Sequence, residues 1–436
     1  SIASGRPSLL LTSAASIVAT DGTGRRTALG NSVSVRYSGQ GRAVVGKHTL
    51  RLPVALSGKS PVAFDGRRYR GELRIVDGGG SLRLVNVLDV EQYLRGVLKM
   101  EANPAWPMEA LKAQAIVSRT YALRAVEQNA GKGGHDLGNT ALSQAYRGMN
   151  AEDPRTDEAI AKTKGMVVLY GGQLALTPFH SDSGGGTAEV STVWGGSVPY
   201  LRAVREDFQT ESPYRQWEAR VSHAQVEQAL RQAGVDIGRL HSLGVGDVDS
   251  FGRVNSLVAT GSRGSATVRS HAFRMAVGSD VIRSTRFSID SPGTAGRTNP
   301  PVPAPRPTKP QAPKAPAKGA PVATGPMTPD EERQLTVLTE QGAFNSEELM
   351  DMLLNPGKRK GYLQRALGKG TPAPATPVPI LPSPSAASGS TYLFKGRGWG
   401  HGVGMSQWGA KALADQGWRC ERIVQFYFPG TALGRR

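Results

Sequence analysis

The sequence predicts an α+β fold, antiparallel strands with packed helices, in which one discontinuous domain is interrupted by a proline-rich insert. Three observations carry this. The first stretch alternates apolar and polar side chains between Gly and Asp turn signals, as in Val33-Ser34-Val35-Arg36-Tyr37 and Tyr69-Arg70-Gly71-Glu72-Leu73-Arg74-Ile75-Val76, the period of half-buried strands. At Asp89 the period changes to that of a helix. Beyond Ser291 the composition turns abruptly to Pro, Ala, Thr and Lys, and a folded pattern resumes only after Tyr392.

Taken in order, Ser81 to Val87 continues the strand pattern. Val90, Tyr93, Leu94 and Val97 then fall at i, i+3, i+4 and i+7, which predicts a short amphipathic helix ending near Met100. Asn103-Pro104-Ala105-Trp106-Pro107 forces a turn, and Pro107 suits a first helical position. A long helix follows from Met108 to Asn129, with Leu111, Ala115, Ser118, Ala122 and Val126 near one face. So many small residues predict close packing against another element, and Gly131-Lys132-Gly133-Gly134 ends the helix. Strands are expected at Gly165 to Tyr170, Gln173 to Phe179, Val254 to Thr260 and Ala266 to Arg269. Ser222 to Ala233 reads as a helix that Ser222 caps and Gly234 terminates, and Ser270 as the cap of a short helix from His271.

Between Ser291 and Met327, and again between Thr371 and Ser385, lie 17 of the 29 prolines, 11 and 6 respectively. Such segments form extended, solvated linkers with little to bury. Thr328 to Leu367 between them is helical in pattern, either a small docking module or a spacer without chemistry. The piece after Tyr392 is too short to build its own core and should complete the fold begun before the insert. The expected division is a β-rich region at 1–68, a first part of the main domain at 69–290, the insert at 291–390 and the remainder at 391–436.

The length, 436 residues, allows two or three domains. No stretch approaches the roughly 20 apolar residues of a membrane-spanning helix, so no transmembrane segment is expected in this chain. It begins at Ser1, as it would after removal of a signal peptide. A net charge of +18 reads either as solvated basic faces or as attraction to an anionic partner, whether nucleic acid, a membrane surface or an acidic wall polymer. Nucleic acid is disfavoured, because zinc-finger spacing, an aromatic-rich RNA-binding signature and a long Lys/Arg run are all missing. The one cysteine, Cys420, permits no intrachain disulfide and no multi-cysteine zinc site.

Three places can carry chemistry. Glu101 stands at a helix junction in Met100-Glu101-Ala102-Asn103-Pro104-Ala105-Trp106. Apolar neighbours and a nearby indole disfavour the charged carboxylate, the condition a general acid needs near neutral pH; an ordinary exposed helix-end carboxylate is the alternative. The run Phe179-His180-Ser181-Asp182-Ser183-Gly184-Gly185-Gly186 contains the Asp-Ser-Gly-Gly of trypsin-like nucleophile segments. The Ala-Ala-His-Cys segment such proteases also need is missing, so a polar Gly-rich loop lining a cleft is the better reading. Gly396 to Ala410 places glycines at alternate positions around Trp399, His401, Ser406, Gln407 and Trp408. It lacks the frame of a phosphate loop and suits a polar, stacking surface for sugar rings.

These pieces, in this order, resemble the stage II sporulation protein D / LytB family. The resemblance begins near Tyr69 and rests on Gly96-Val97-Leu98-Lys99-Met100-Glu101, Trp106-Pro107-Met108-Glu109-Ala110-Leu111-Lys112-Ala113-Gln114-Ala115 and Ser118-Arg119-Thr120-Tyr121-Ala122. It continues through Gln144-Ala145-Tyr146, His180-Ser181 with its glycines and Val193-Trp194-Gly195, and closes on Gly398 to Gln407. About half the chain is covered, the N-terminal strands weakly and the insert not at all. The resemblance implies a peptidoglycan lytic transglycosylase that cleaves glycan strands to 1,6-anhydro products, with Glu101 as the acid and base. The alternative it admits is a non-catalytic, wall-binding enhancer of an N-acetylmuramoyl-L-alanine amidase.

The family's helix arginine carries over to Arg119 and its tyrosine to Tyr214 in Ser212-Pro213-Tyr214. Gln144, Tyr146, His180, Ser181, Ser183, His401, Ser406 and Gln407 are the further substrate-binding candidates. In this chemistry the sugar's own C6 hydroxyl is the nucleophile, so one carboxyl group serves where ordinary glycosidases use two. Glu109 on the following helix is the nearest second carboxylate in sequence. Arg119 either holds substrate or tunes Glu101, and its distance decides which. Some members of the family hold zinc before the Gln-x-Tyr segment; here His135 is followed by Leu137, Gly138 and Asn139 rather than cysteine, so no metal and no cofactor are expected. The expected partners are peptidoglycan glycan strands and a cell-wall amidase, and the expected location is extracytoplasmic.

Overall fold

The computed structural model describes residues 1–129, 134–138, 144–290, 359–368 and 391–436, with isolated residues between 327 and 352. The fold is α+β, built of antiparallel sheets with helices. By its contacts the chain divides into two compact units: Ser1–Pro178 with Leu413–Arg436, and Phe179–Ala412.

The first unit opens with two six-stranded sheets. One joins Ala3–Arg6, Leu82–Val87, Glu72–Asp77, Val54–Gly58, Ile17–Thr20 and Arg26–Ala28, in that order; the other joins Arg67–Tyr69, Val62–Phe64, Ser8–Ser13, Ser32–Gly39, Arg42–Val45 and His48–Arg51. Alternation decides which face is buried. Val33 and Val35 are inside while Ser34 and Arg36 face out, and Leu73 and Ile75 are inside between half-exposed Glu72, Arg74 and Val76.

Helices Val90–Arg95, Leu98–Glu101, Met108–Asn129 and Pro154–Lys162 follow. Asp89 caps the first, accepting the Glu91 N–H at 2.8 Å. The expected single helix to Met100 is broken at Gly96-Val97. A Cβ at Gly96 would lie 2.4 Å from the Tyr146 ring, so the chain passes tightly against that side chain where the helix breaks. The long helix matches its expected span and is buried almost all round from Ala113 to Thr120, rather than along one face. The burial stops at Ala122; Val126, expected on the packed face, is 40% exposed. Helix Cys420–Tyr427 packs on the long helix, and the final strand Ala432–Arg435 pairs with Met166–Tyr170.

In the second unit, Thr391–Gly396 is the central strand between Trp217–Ser222 and Phe287–Asp290. The chain beyond the proline-rich insert therefore enters a sheet whose other strands precede it. A meander of Leu240–Val245, Ser256–Gly261 and Gly264–Arg269 lies in the same unit with helices His223–Gln232 and Ser270–Val277. Trp217, Phe273, Phe287, Tyr392 and Phe394 are members of its core. Ser222 and Gln225 form the reciprocal capping box of the first helix, whereas Ser270 is the second helix's first residue and Arg269 its cap. The strand expected over Gln173 to Phe179 is reduced to Gln173–Leu174 and Phe179–His180, with Pro178, which has no N–H to give a ladder, between them. Of the helical pattern at 328–367, Thr328 and Glu331 make the reciprocal cap and Arg359–Gly368 is helical. Apart from isolated residues, the rest of that pattern and both proline-rich segments lie outside the described residues.

Candidate functional site

In the first unit the site is organised around Glu101, the last residue of its short helix. Tyr93 is buried and its hydroxyl donates to Gln144 Oε1 at 3.1 Å, while Gln144 Nε2 donates to the Ser118 carbonyl at 3.3 Å. Tyr146 stacks on Tyr93, ring centroids 5.2 Å apart, and its hydroxyl donates to Asn86 Oδ1 at 2.5 Å. The two side chains thus fasten Gln144-Ala145-Tyr146 on both flanks, and the Ala145 N–H between them donates to Glu101 Oε1 at 3.2 Å. Burial raises the Glu101 carboxyl above its ordinary range, against the opposing pull of that N–H. Beside it, burial pushes the Tyr121 hydroxyl up to about 12, with the Glu101 charge adding to the shift. A carboxyl in this setting holds its proton more strongly than a surface glutamate does.

Arg119 is fully buried and turned to another task. Its Nε and Nη2 donate to both oxygens of Glu91 at 2.8 and 2.7 Å, and further bonds reach the Met166 and Ile160 carbonyls at 3.2 and 3.3 Å. This bidentate pair ties the first helix to the long one. Gln144 and Tyr146, 1% and 4% exposed, likewise engage protein partners rather than presenting free surface to a ligand. Glu109 is not a spare carboxylate either. Burial would raise it, but the Lys112 ammonium at 2.7 Å and the Cys420 N–H at 2.8 Å outweigh burial and lower its pKa. Among the described residues, Glu109, Cys420 and Glu421 are close enough to hold a metal ion, their ligand atoms lying within 4.8 Å of one another. Burial pushes the Cys420 thiol up to about 12, with the Glu421 and Glu109 charges adding to the shift.

In the second unit the Gly-rich segments meet as the alternate glycines require. Asp182 and Trp399 exchange backbone hydrogen bonds of 3.0 and 2.8 Å. A Cβ at Gly398 would sit 2.6 Å from the Asp182 carbonyl oxygen, and one at Gly400 2.6 Å from the His180 Cβ. His401 Nδ1 accepts the Val403 N–H at 3.0 Å, so its proton is on Nε2, which donates to the Phe179 carbonyl at 3.0 Å. His180, 5.4 Å away between ring centroids, is bonded through Nδ1 to the Val403 carbonyl at 3.2 Å. Burial, with His401 and Arg253 nearby, holds its pKa well below the ordinary value.

Ser183 and Ser406 are wholly buried. Ser406 Oγ accepts the Ser183 N–H at 3.3 Å and the Gly409 N–H at 3.1 Å, and Ser183 Oγ donates to Glu206 while accepting the Gly185 and Gly186 N–H groups. Both hydroxyls shape turns. Ser181 accepts the Trp408 N–H at its carbonyl, 3.0 Å, and Gln407 opens the following helix. Tyr214 meets Trp399 edge-on at 4.4 Å, and the Arg283 guanidinium lies over both rings at 5.9 and 5.3 Å. All three are half-buried.

Glu91, Tyr93, Tyr121 and Arg283 are not among the candidate site residues of the sequence; Tyr93 reads there only as part of a helix face and Tyr121 only as part of a motif. Only Glu91, an acid in a helix's first turn, carries any local signal, and that signal is for capping.

Residues 78–170 match the family model described as stage II sporulation protein, SpoIID. An uncharacterised protein of Brachyspira hyodysenteriae is 29% identical over 226 residues, 52% of this chain and 60% of that protein. The amidase enhancer of Bacillus subtilis is 27% identical over 390 residues, 88% of this chain and 47% of its own length. Stage II sporulation protein D of the same organism is 29% identical over 143 residues, 30% of this chain and 42% of its own length. The chain covers less than two thirds of each of these relatives. Glu101, Arg119, Gln144 and Tyr146 all fall inside the span that matches the SpoIID model, and relatives named amidase enhancer and stage II sporulation protein D align with this chain.

Proposed function

We propose that this protein is a peptidoglycan lytic transglycosylase that acts outside the cytoplasm, with Glu101 as its acid and base. The observation that supports this reading is the Glu101 carboxyl itself, half-buried near tyrosines, raised in pKa and fixed by the Ala145 N–H. A protonated carboxyl donates to the glycosidic oxygen as the bond to C1 breaks. The C6 hydroxyl of the same sugar then bonds to C1, and its proton passes to the Glu101 carboxylate. The products are a 1,6-anhydro end and a free hydroxyl, with no water consumed. Glu109, held by Lys112 and the Cys420 N–H, is not available as a second carboxylate, which favours this one-carboxyl route. Gln144 and Tyr146 act as positioning residues behind Glu101.

Incubating purified glycan strands with wild type and Glu101→Gln, with mass detection of anhydro ends, tests the proposal. The substitution keeps an acceptor for the Ala145 N–H and removes the proton, so a loss of about 10²- to 10⁴-fold is expected. Equal release of anhydro products by the two proteins would sink it.

A second reading, a non-catalytic enhancer of a wall amidase, is favoured by one observation: the relative named amidase enhancer aligns with 88% of this chain. If Glu101→Gln stimulates a purified amidase as fully as wild type and neither protein releases anhydro product, this second reading replaces the first.

A further inference from the structure

We propose that the Tyr121 hydroxyl is a substrate-binding group beside Glu101, donating a hydrogen bond to the C2 acetamido carbonyl of the sugar whose C1 bond is cut. This deepens the transglycosylase reading above and rests on it. Three tyrosines gather near Glu101. Tyr93 and Tyr146 stack with ring centroids 5.2 Å apart, and Tyr93 lies within electrostatic reach of both Glu101 and Tyr121.

Two of the three phenols are engaged inside the protein. Tyr93 donates to Gln144 Oε1 at 3.1 Å and Tyr146 to Asn86 Oδ1 at 2.5 Å, and both side chains are buried. Tyr121 differs on both counts. It is only half-buried, and its hydroxyl has no hydrogen-bond partner among the described residues, yet is not sealed from solvent. Its place is set by the long helix, Met108–Asn129. Ser118, one turn earlier on the same side of that helix, takes Gln144 Nε2 at its carbonyl, 3.3 Å, and the next residue, Ala145, holds Glu101. A rigid helix therefore keeps an open hydroxyl next to the carboxyl, without a task inside the fold.

What this phenol can take follows from its chemistry. Burial and the Glu101 charge push it up to about 12, so it keeps its proton wherever the carboxyl titrates and serves as a donor. Of the acceptors on an N-acetylated wall sugar, the amide carbonyl is the most basic, ahead of the hydroxyl and ether oxygens. It hangs from C2, the carbon bonded to the C1 at which Glu101 works, so a donor beside the carboxyl is well placed to meet it. Held there, the acetamido group fixes the rotation of the sugar and brings the glycosidic oxygen into line with Glu101. A sugar without its acetyl group presents an ammonium at C2, which offers this donor nothing to bond.

Digestion of partly de-N-acetylated glycan strands by the full chain, with mass detection of the anhydro ends, tests the assignment. Wild type is expected to leave ends that are acetylated more often than the strand as a whole. Tyr121→Phe keeps the ring and removes only the hydroxyl. It should lose about three- to tenfold in kcat/KM on fully acetylated strands and lose the bias toward acetylated ends. It should also melt at the wild-type temperature, because no internal bond goes with the hydroxyl. A wild type that cuts without regard to acetylation overturns the proposal before any variant is made, and so does a Tyr121→Phe that keeps both rate and bias. A slower variant that keeps the bias, or one that melts well below wild type, assigns the hydroxyl to the fold and overturns it too. Those outcomes leave Glu101 standing as the acid; a wild type that releases no anhydro ends overturns the proposed function and this inference together.

Discussion

Glu101 departs from an ordinary carboxylate because burial outweighs the Ala145 N–H that stabilises its charge. That imbalance is useful for proton donation and costly for folding. Its folded pKa lies above the unfolded value, so the folded state binds the proton more tightly. The stability this residue contributes is therefore fully present below the unfolded carboxyl pKa of about 4.3 and is lost as pH rises through the raised folded value. Glu101→Gln cannot ionise and keeps the acceptor for Ala145. We expect the variant to melt at a higher temperature than wild type at neutral and mildly alkaline pH, with the gap closing as pH falls to about 4. Thermal melts across that range decide it. A variant that melts below wild type at alkaline pH would mean that the charged carboxylate is favoured in the fold, and general-acid chemistry would lose its physical basis.

Helices and strands were legible in the sequence where their causes are local. The change to helical spacing at Asp89, the Val90-Tyr93-Leu94 face, the Met108–Asn129 span and the Ser222 cap all follow from local pattern. The strand Thr391–Gly396 was legible by another route, since a piece that short must join a sheet made elsewhere. What stayed hidden depends on distant partners. Nothing near Arg119 announces Glu91, 28 residues earlier, and nothing near Gly96 announces that Tyr146 will lie across it. Arg119 was expected to face substrate or Glu101, and its partner is Glu91. The break at Gly96 gives a direct test of this element's design. Gly96→Ala would drive a methyl group into the Tyr146 ring, so a loss of about 1–3 kcal/mol is expected, with reduced glycan cleavage because Ala145 sits next to that ring. Adding Tyr146→Leu should recover part of the deficit. Denaturant melts of the two single variants and the double close the cycle, and strictly additive losses would show that the ring is not the obstacle.

For the whole molecule the dominant quantity is charge. The chain carries a net +18, and its first 88 residues alone hold 13 Lys and Arg against 4 Asp and Glu. On the outer face of the second sheet, Arg42 stands directly opposite Arg51, with Arg36 one strand over and likewise exposed. Like charges facing each other across a ladder destabilise a sheet, though basic side chains on an edge strand also discourage edge-to-edge pairing, and Arg51 is on such an edge. The two accounts differ in solution. If the face serves only to block pairing, retention on wall fragments is indifferent to it. If its field draws the protein to an acidic wall polymer, retention weakens as salt shortens the screening length from about 10 Å at 0.1 M to about 3 Å at 1 M. We expect the second outcome in a pelleting assay on insoluble wall. The double variant Arg42→Glu, Arg51→Glu should lose several-fold in retention at low salt while cleaving short soluble glycans at the wild-type rate. Retention that is flat in salt and unmoved by charge reversal would assign these arginines to edge protection alone.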